Sequence, residues 1–150
     1  MKKTILFIAL ILLLATSCKN DKKEKTTDQQ TIKITNKIPF LGNWTRSFDM
    51  GNNINATVNY NIYQDSIQYE MLGPMNTKYT LVKDTFYPKD NRWIGKRGEI
   101  PYVIFVKNSS KDAITLLKMK VESKSKALSM PFPSDTARSK FSSWNTFKKK

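Results

Sequence analysis

The chain contains no histidine, a single cysteine and only five glycines in 150 residues. Without histidine, Ser-His and Cys-His nucleophile pairs are excluded, as are imidazole metal sites. One cysteine cannot close an intramolecular disulfide. Carboxylates are scarce as well: 12 acidic residues stand against 26 basic ones, a formal net charge of +14. Those present do not pair. Asp84 and Asp90 flank a strand-to-turn segment, and Asp65 and Glu70 occupy turn or solvent-facing positions, so no spacing predicts the shared cleft of a two-carboxylate hydrolase. Ser123-Lys124-Ser125-Lys126 spells S-x-x-K, but the S-D-N and K-T-G elements that accompany it in acyl-enzymes are missing. No calcium loop, P-loop or dinucleotide fingerprint is found. The expectation is a protein that is not an enzyme, with no catalytic residue, no metal ligand and no cofactor.

Long apolar runs are missing too. The longest, Ile5 to Ala15, has 11 residues, whereas a membrane-spanning helix needs about 20. It follows the basic Met1-Lys2-Lys3 and ends in small residues, which is the pattern of a secretory signal peptide. The end of that run, Leu14-Ala15-Thr16-Ser17-Cys18, resembles the lipobox of bacterial lipoproteins, with Leu14 one place further from the cysteine than is usual. The resemblance implies that residues 1–17 are removed. Cys18 then carries a diacylglyceryl thioether, is acylated with palmitate-like chains, and becomes the first residue of the mature chain. Such a cysteine is neither nucleophile nor ligand. Each buried methylene contributes about 0.8 kcal/mol, and two or more chains hold a protein stably on a membrane. The expected location is the cell envelope, on the periplasmic face of the outer membrane or on the cell surface, which leaves nucleic acid without a role as partner.

Residues 18–37 are polar and rich in charge, with no aromatic residue. Such a composition buries too little surface to repay ordering, and is expected to form a flexible tether. Its 19 residues after Cys18 span roughly 22–26 Å as a flexible coil. Residues 38–150 then provide one domain. Charge is uneven along it: residues 38–95 carry five basic and five acidic residues, while residues 96–150 carry 13 and four. That surplus predicts a basic face suited to an acidic or anionic envelope partner.

The domain reads as all-β. In residues 54–63, Ile54, Ala56, Val58, Tyr60 and Ile62 alternate with polar residues, the period-two pattern of a half-buried strand. Ile67, Tyr69 and Met71 continue the pattern, as do Tyr79 and Leu81. A short strand around Trp93, the apolar run 100–106, the segment 113–122 and an aromatic last strand with Phe141, Trp144 and Phe147 complete seven to nine strands without an amphipathic helix. Short strands joined by turns fit an antiparallel meander closed into a barrel, or a sandwich, and the barrel is favoured because it removes exposed edges.

Phe40-Leu41-Gly42-Asn43-Trp44, ahead of these strands, resembles the G-x-W signature that opens the barrel of lipocalins and related calycins. The resemblance implies an up-and-down barrel of about eight strands, with Trp44 plugging one end and an apolar cavity opening at the other. The family's T-D-Y-like turn is not found, and Arg138 is a loose candidate for the late arginine that stacks on the tryptophan. In such a barrel Tyr60, Tyr69, Tyr79, Trp93, Tyr102 and Phe105 would point inward. Tyr60, Tyr69, Tyr79 and Tyr102 are the candidate ligand contacts.

The expected function is therefore that of a membrane-anchored envelope lipoprotein whose lipocalin-like barrel binds a small apolar or amphipathic ligand. The alternative is a protein-interaction module (an assembly factor, an immunity protein or an enzyme inhibitor) with a packed, ligand-free barrel. It would act through the basic late half, Lys118 and Lys120 included, and through the 123–139 loop, where Leu128, Met130 and Phe132 sit among polar residues and prolines.

Overall fold

In the computed structural model the described residues are 37–139 and 142–150. Cys18, the signal-like segment and all but the last residue of the expected tether lie outside them. Seven antiparallel strands follow one another: β1 (Gly42–Asp49), β2 (Asn55–Ile62), β3 (Ser66–Leu72), β4 (Thr77–Tyr87), β5 (Arg92–Arg97), β6 (Ile100–Lys107) and β7 (Ala113–Lys120). A crossing segment comes next, with a short helix α1 (Lys124–Ser129) and two minimal strands, β8 (Arg138–Ser139) and β9 (Ser142–Ser143). Strand β10 (Asn145–Lys149) then enters between β7 and β1, so the sheet closes in the order β1-β10-β7-β6-β5-β4-β3-β2. The expected eight-stranded antiparallel barrel is the observed fold.

Alternation sorts the side chains as the sequence suggests. On β2, Ala56, Val58, Tyr60 and Ile62 are buried, while Ile54 precedes the strand and stays exposed. Register then carries the inner row around the wall: Tyr60 faces Tyr69, and Tyr69 faces Tyr79. A bulge between Lys83 and Thr85 on β4 adds one residue against β5. The extra residue switches the inward parity, so that Leu81 and Phe86 are both buried, five positions apart. Gly95 on β5 is dictated by packing, because a Cβ there would lie 2.3 Å from both the Trp93 ring and the Val82 carbonyl.

The end of the barrel where β1 begins is a packed floor. Ile38, Phe40, Trp44, Trp93, Ile104 and Ile114, all almost wholly buried, fill it together with Ile62, Ile67 and Leu81. Trp44 donates its indole N–H to the Phe40 carbonyl (3.0 Å), and Lys149 Nζ sits 4.5 Å from the centre of its ring. Gly42, at φ 130°, lets that happen: a Cβ there would lie 2.3 Å from Lys149 Nζ. The cation on the tryptophan is thus a lysine from β10. The side chain of Arg138, the expected stacking residue, lies outside the described residues.

Three expectations need correction. Phe105 is buried on the outer wall, not in the lumen, in a second cluster with Ile94, Val103, Val121 and Ala127. The 123–139 segment is not wholly a loop: Ser123 caps α1 by accepting from the Lys126 N–H (3.1 Å), and α1 lays Ala127 on that wall. The last segment is two elements, because Trp144 lies between β9 and β10 and packs on the outer cluster while Phe147 joins the core. They stand three positions apart, and odd spacing in extended chain puts two side chains on opposite faces. Phe141 lies outside the described residues.

Candidate ligand-binding site

The far half of the barrel is not filled. A cavity of about 550 Å³ lies there, open to the outside, with Arg46 and Phe48 of β1, Val58 and Tyr60 of β2, Tyr69 and Met71 of β3, Leu116 and Lys118 of β7, and Asn145 and Phe147 of β10 on its walls. Its position has a cause in strand pairing. The β1–β10 ladder contains two residue pairs, Trp44 with Lys149 and Thr45 with Lys148, and stops there. Above that point Arg46 crosses the gap by a hydrogen bond from its Nη1 to Asn145 Oδ1. Asp135, Ala137, Ser142, Ser143 and Trp144 of the crossing segment border the opening.

The four candidate tyrosines form one aromatic belt at the base and side of this space. Tyr60 meets Tyr69 edge-on (5.3 Å between centroids), Tyr69 stacks on Tyr79 (4.8 Å), and Tyr79 stacks on Tyr102 (6.3 Å). Tyr60 also meets Phe147 edge-on at 5.1 Å. Tyr60 and Tyr69 face the cavity directly, whereas Tyr79 and Tyr102 back them. Burial, and then the neighbouring Tyr69 and Tyr79, push the Tyr60 phenol well above its ordinary 10.0. Burial also raises Tyr69. Tyr79 is raised by burial, with Tyr102 and Tyr69 adding to the effect and Arg97 opposing it. These phenols are neutral at physiological pH and offer hydroxyl groups, not charge.

Lys118, expected with Lys120 on a basic interaction surface, lies instead in the cavity wall. It projects inward from β7, where it donates to Tyr79 Oη (2.6 Å) and sits 3.4 Å from the centre of the Tyr69 ring. No carboxylate pairs with it among the described residues. Burial lowers its pKa to about 8, since removing an ammonium from water disfavours the charged form. The signal was available: Ile114, Leu116 and Lys118 share parity, and the first two are core residues. Arg97 adds a further cation behind the belt, 4.6 Å from the centre of the Tyr79 ring.

The candidate interaction loop lies on the outer wall. Arg92 Nη1 donates to the carbonyls of Ala127 (3.1 Å) and Leu128 (2.8 Å), tying the end of α1 to β5. Met130 packs on the outer cluster, and Phe132 lies against Phe105 (5.5 Å) and Trp144 (5.7 Å). Leu128 and Phe132 nevertheless remain 40% and 43% exposed. Loop and cavity mouth are joined by Asp135, which borders the opening and pairs with Lys107.

Comparison with protein-family models, with curated proteins and with solved structures gives no match to this chain.

Proposed function

We propose that the barrel binds a small amphipathic ligand in its open half, as part of a lipoprotein held at the cell envelope through Cys18. The observation that carries the binding role is the cavity itself. Its volume of about 550 Å³ falls within the roughly 300–1,000 Å³ of small-molecule sites, and its walls combine apolar and aromatic side chains with charged and polar ones, which suits an amphipathic ligand. A barrel meant only as a rigid scaffold gains stability by filling such space, since each unfilled methylene-sized volume costs about 1 kcal/mol. A lipocalin-like role is supported by the Gly42 and Trp44 floor, which plugs one end while leaving the other open. The open lumen also argues against an interaction module built on a solid barrel.

The test is uptake of a neutral fluorescent probe, N-phenyl-1-naphthylamine, by the full chain. Saturable binding is expected, and Val58→Trp, which fills the lumen, should abolish it. A probe that does not bind, or that binds the native and Val58→Trp chains equally, contradicts the proposal.

A further inference from the structure

The cavity lining is chemically lopsided. Lys118 and Arg46 face it, Arg97 lies behind it over Tyr79, and the one carboxylate at its border among the described residues, Asp135, is occupied by Lys107 at the rim. An ammonium has three donors, and Lys118 spends one on Tyr79 Oη. The aromatic faces of Tyr69 and Tyr79 offer partial compensation, the nearer centroid at 3.4 Å. A half-buried cation without an anion is costly, and in a cavity wall it is an incomplete pair.

We infer that Lys118 receives the anionic head of the ligand, so that the cavity selects single-chain amphiphiles ending in a carboxylate. This rests on the ligand-binding reading above and names its substrate class. The head would lie against Lys118, with the apolar chain along Val58, Met71 and Leu116. Arg46 is held at the β1–β10 gap by Asn145 and the Phe48 ring, so the Lys118 ammonium alone meets the head, and one such charge matches a monoanion better than a phosphate dianion, whose second charge would be desolvated without a close partner. At roughly 30 Å³ per non-hydrogen atom, the packing of a liquid, the cavity holds on the order of 15–20 such atoms. That is a medium-length chain.

The experiment titrates the full-length chain with dodecanoate, its methyl ester and dodecyl phosphate, followed by calorimetry. A charge-assisted bond to the head predicts that dodecanoate binds roughly tenfold to hundredfold more tightly than the ester. Lys118→Met should erase that gap, with dodecanoate binding no more tightly than the ester, and retained near-ultraviolet dichroism reports that the variant is folded. Lys118→Arg should retain the gap. The groups around Lys118 are Tyr60 from β2, Tyr69 from β3, Tyr79 from β4, the guanidinium groups of Arg46 and Arg97, and Tyr102 behind Tyr79. Lys118 is the group among them that loses charge near pH 8, so native affinity for dodecanoate should decline above that pH, and that of the Lys118→Arg chain should not. Equal binding of dodecanoate and ester by the native chain, or a gap that survives in Lys118→Met, overturns the inference while the cavity reading stands. Tighter binding of dodecyl phosphate overturns the carboxylate assignment. Failure of all three probes overturns both readings.

Discussion

At the scale of single residues, Lys118 decides most about this protein. A lysine at that position lowers stability, and the sign can be followed with pH. Its folded-state pKa is about 8 against an ordinary 10.5, so between those values the unfolded chain holds more protons than the folded one. Stability therefore rises with pH across that window, by up to about 3 kcal/mol. Above pH 10 the buried phenols act the other way. Tyr60, Tyr69 and Tyr79 ionise first in the unfolded chain, and stability falls. Urea midpoints should thus peak between pH 9 and 10. Lys118→Met should flatten the rise and increase stability at pH 7 by about 1–3 kcal/mol. A midpoint that does not change between pH 7.5 and 9.5 would place the Lys118 ammonium in water. The belt tyrosines were legible from alternation because each shares parity with clear core residues. Lys118 obeyed the same rule, but it was counted with the basic late half as surface. A charge on an apolar face is read as solvated by default, and only the barrel's closure shows that this face has no solvent side.

At the scale of elements, strands and turns followed from period two, whereas α1 did not. The sequence Lys124-Ser125-Lys126-Ala127-Leu128-Ser129 buries a single residue, Ala127, and one buried position makes no helical stripe. The helix is fixed by what it meets: the outer cluster, and the Arg92 guanidinium on its last carbonyls. Arg92→Ala should therefore free α1 from the wall at a cost of about 1–3 kcal/mol. Faster proteolytic cutting within residues 123–137, with the barrel's near-ultraviolet dichroism retained, is the expected result. A floor substitution should behave differently. Gly95→Ala forces a Cβ against the Trp93 ring and the Val82 carbonyl, and overpacking of this kind costs about 1–3 kcal/mol. It should lower the thermal midpoint of the whole barrel, read by tryptophan fluorescence.

At the scale of the whole molecule, one end of the barrel is solid and the other is hollow. The division coincides with the short β1–β10 ladder. Barrel closure was readable from strand count and turn spacing, and the plugged end from Gly42 and Trp44. The cavity was expected only through the lipocalin resemblance and not from the residue pattern, because it lies where β10, starting only at Asn145, leaves the β1–β10 ladder short. Anchoring belongs to this scale as well. If Cys18 holds the chain to a membrane, Cys18→Ser should move it from the membrane to the soluble fraction, and an unchanged distribution would contradict the anchor.

If ligand enters the hollow half and not the outer loop, methyl NMR of the full chain titrated with dodecanoate should show it. Saturable shifts are expected at Val58, Met71 and Leu116, with Ile94 and Val103 on the outer wall unmoved. Shifts confined to Leu128 and Met130, or none at all, would contradict it.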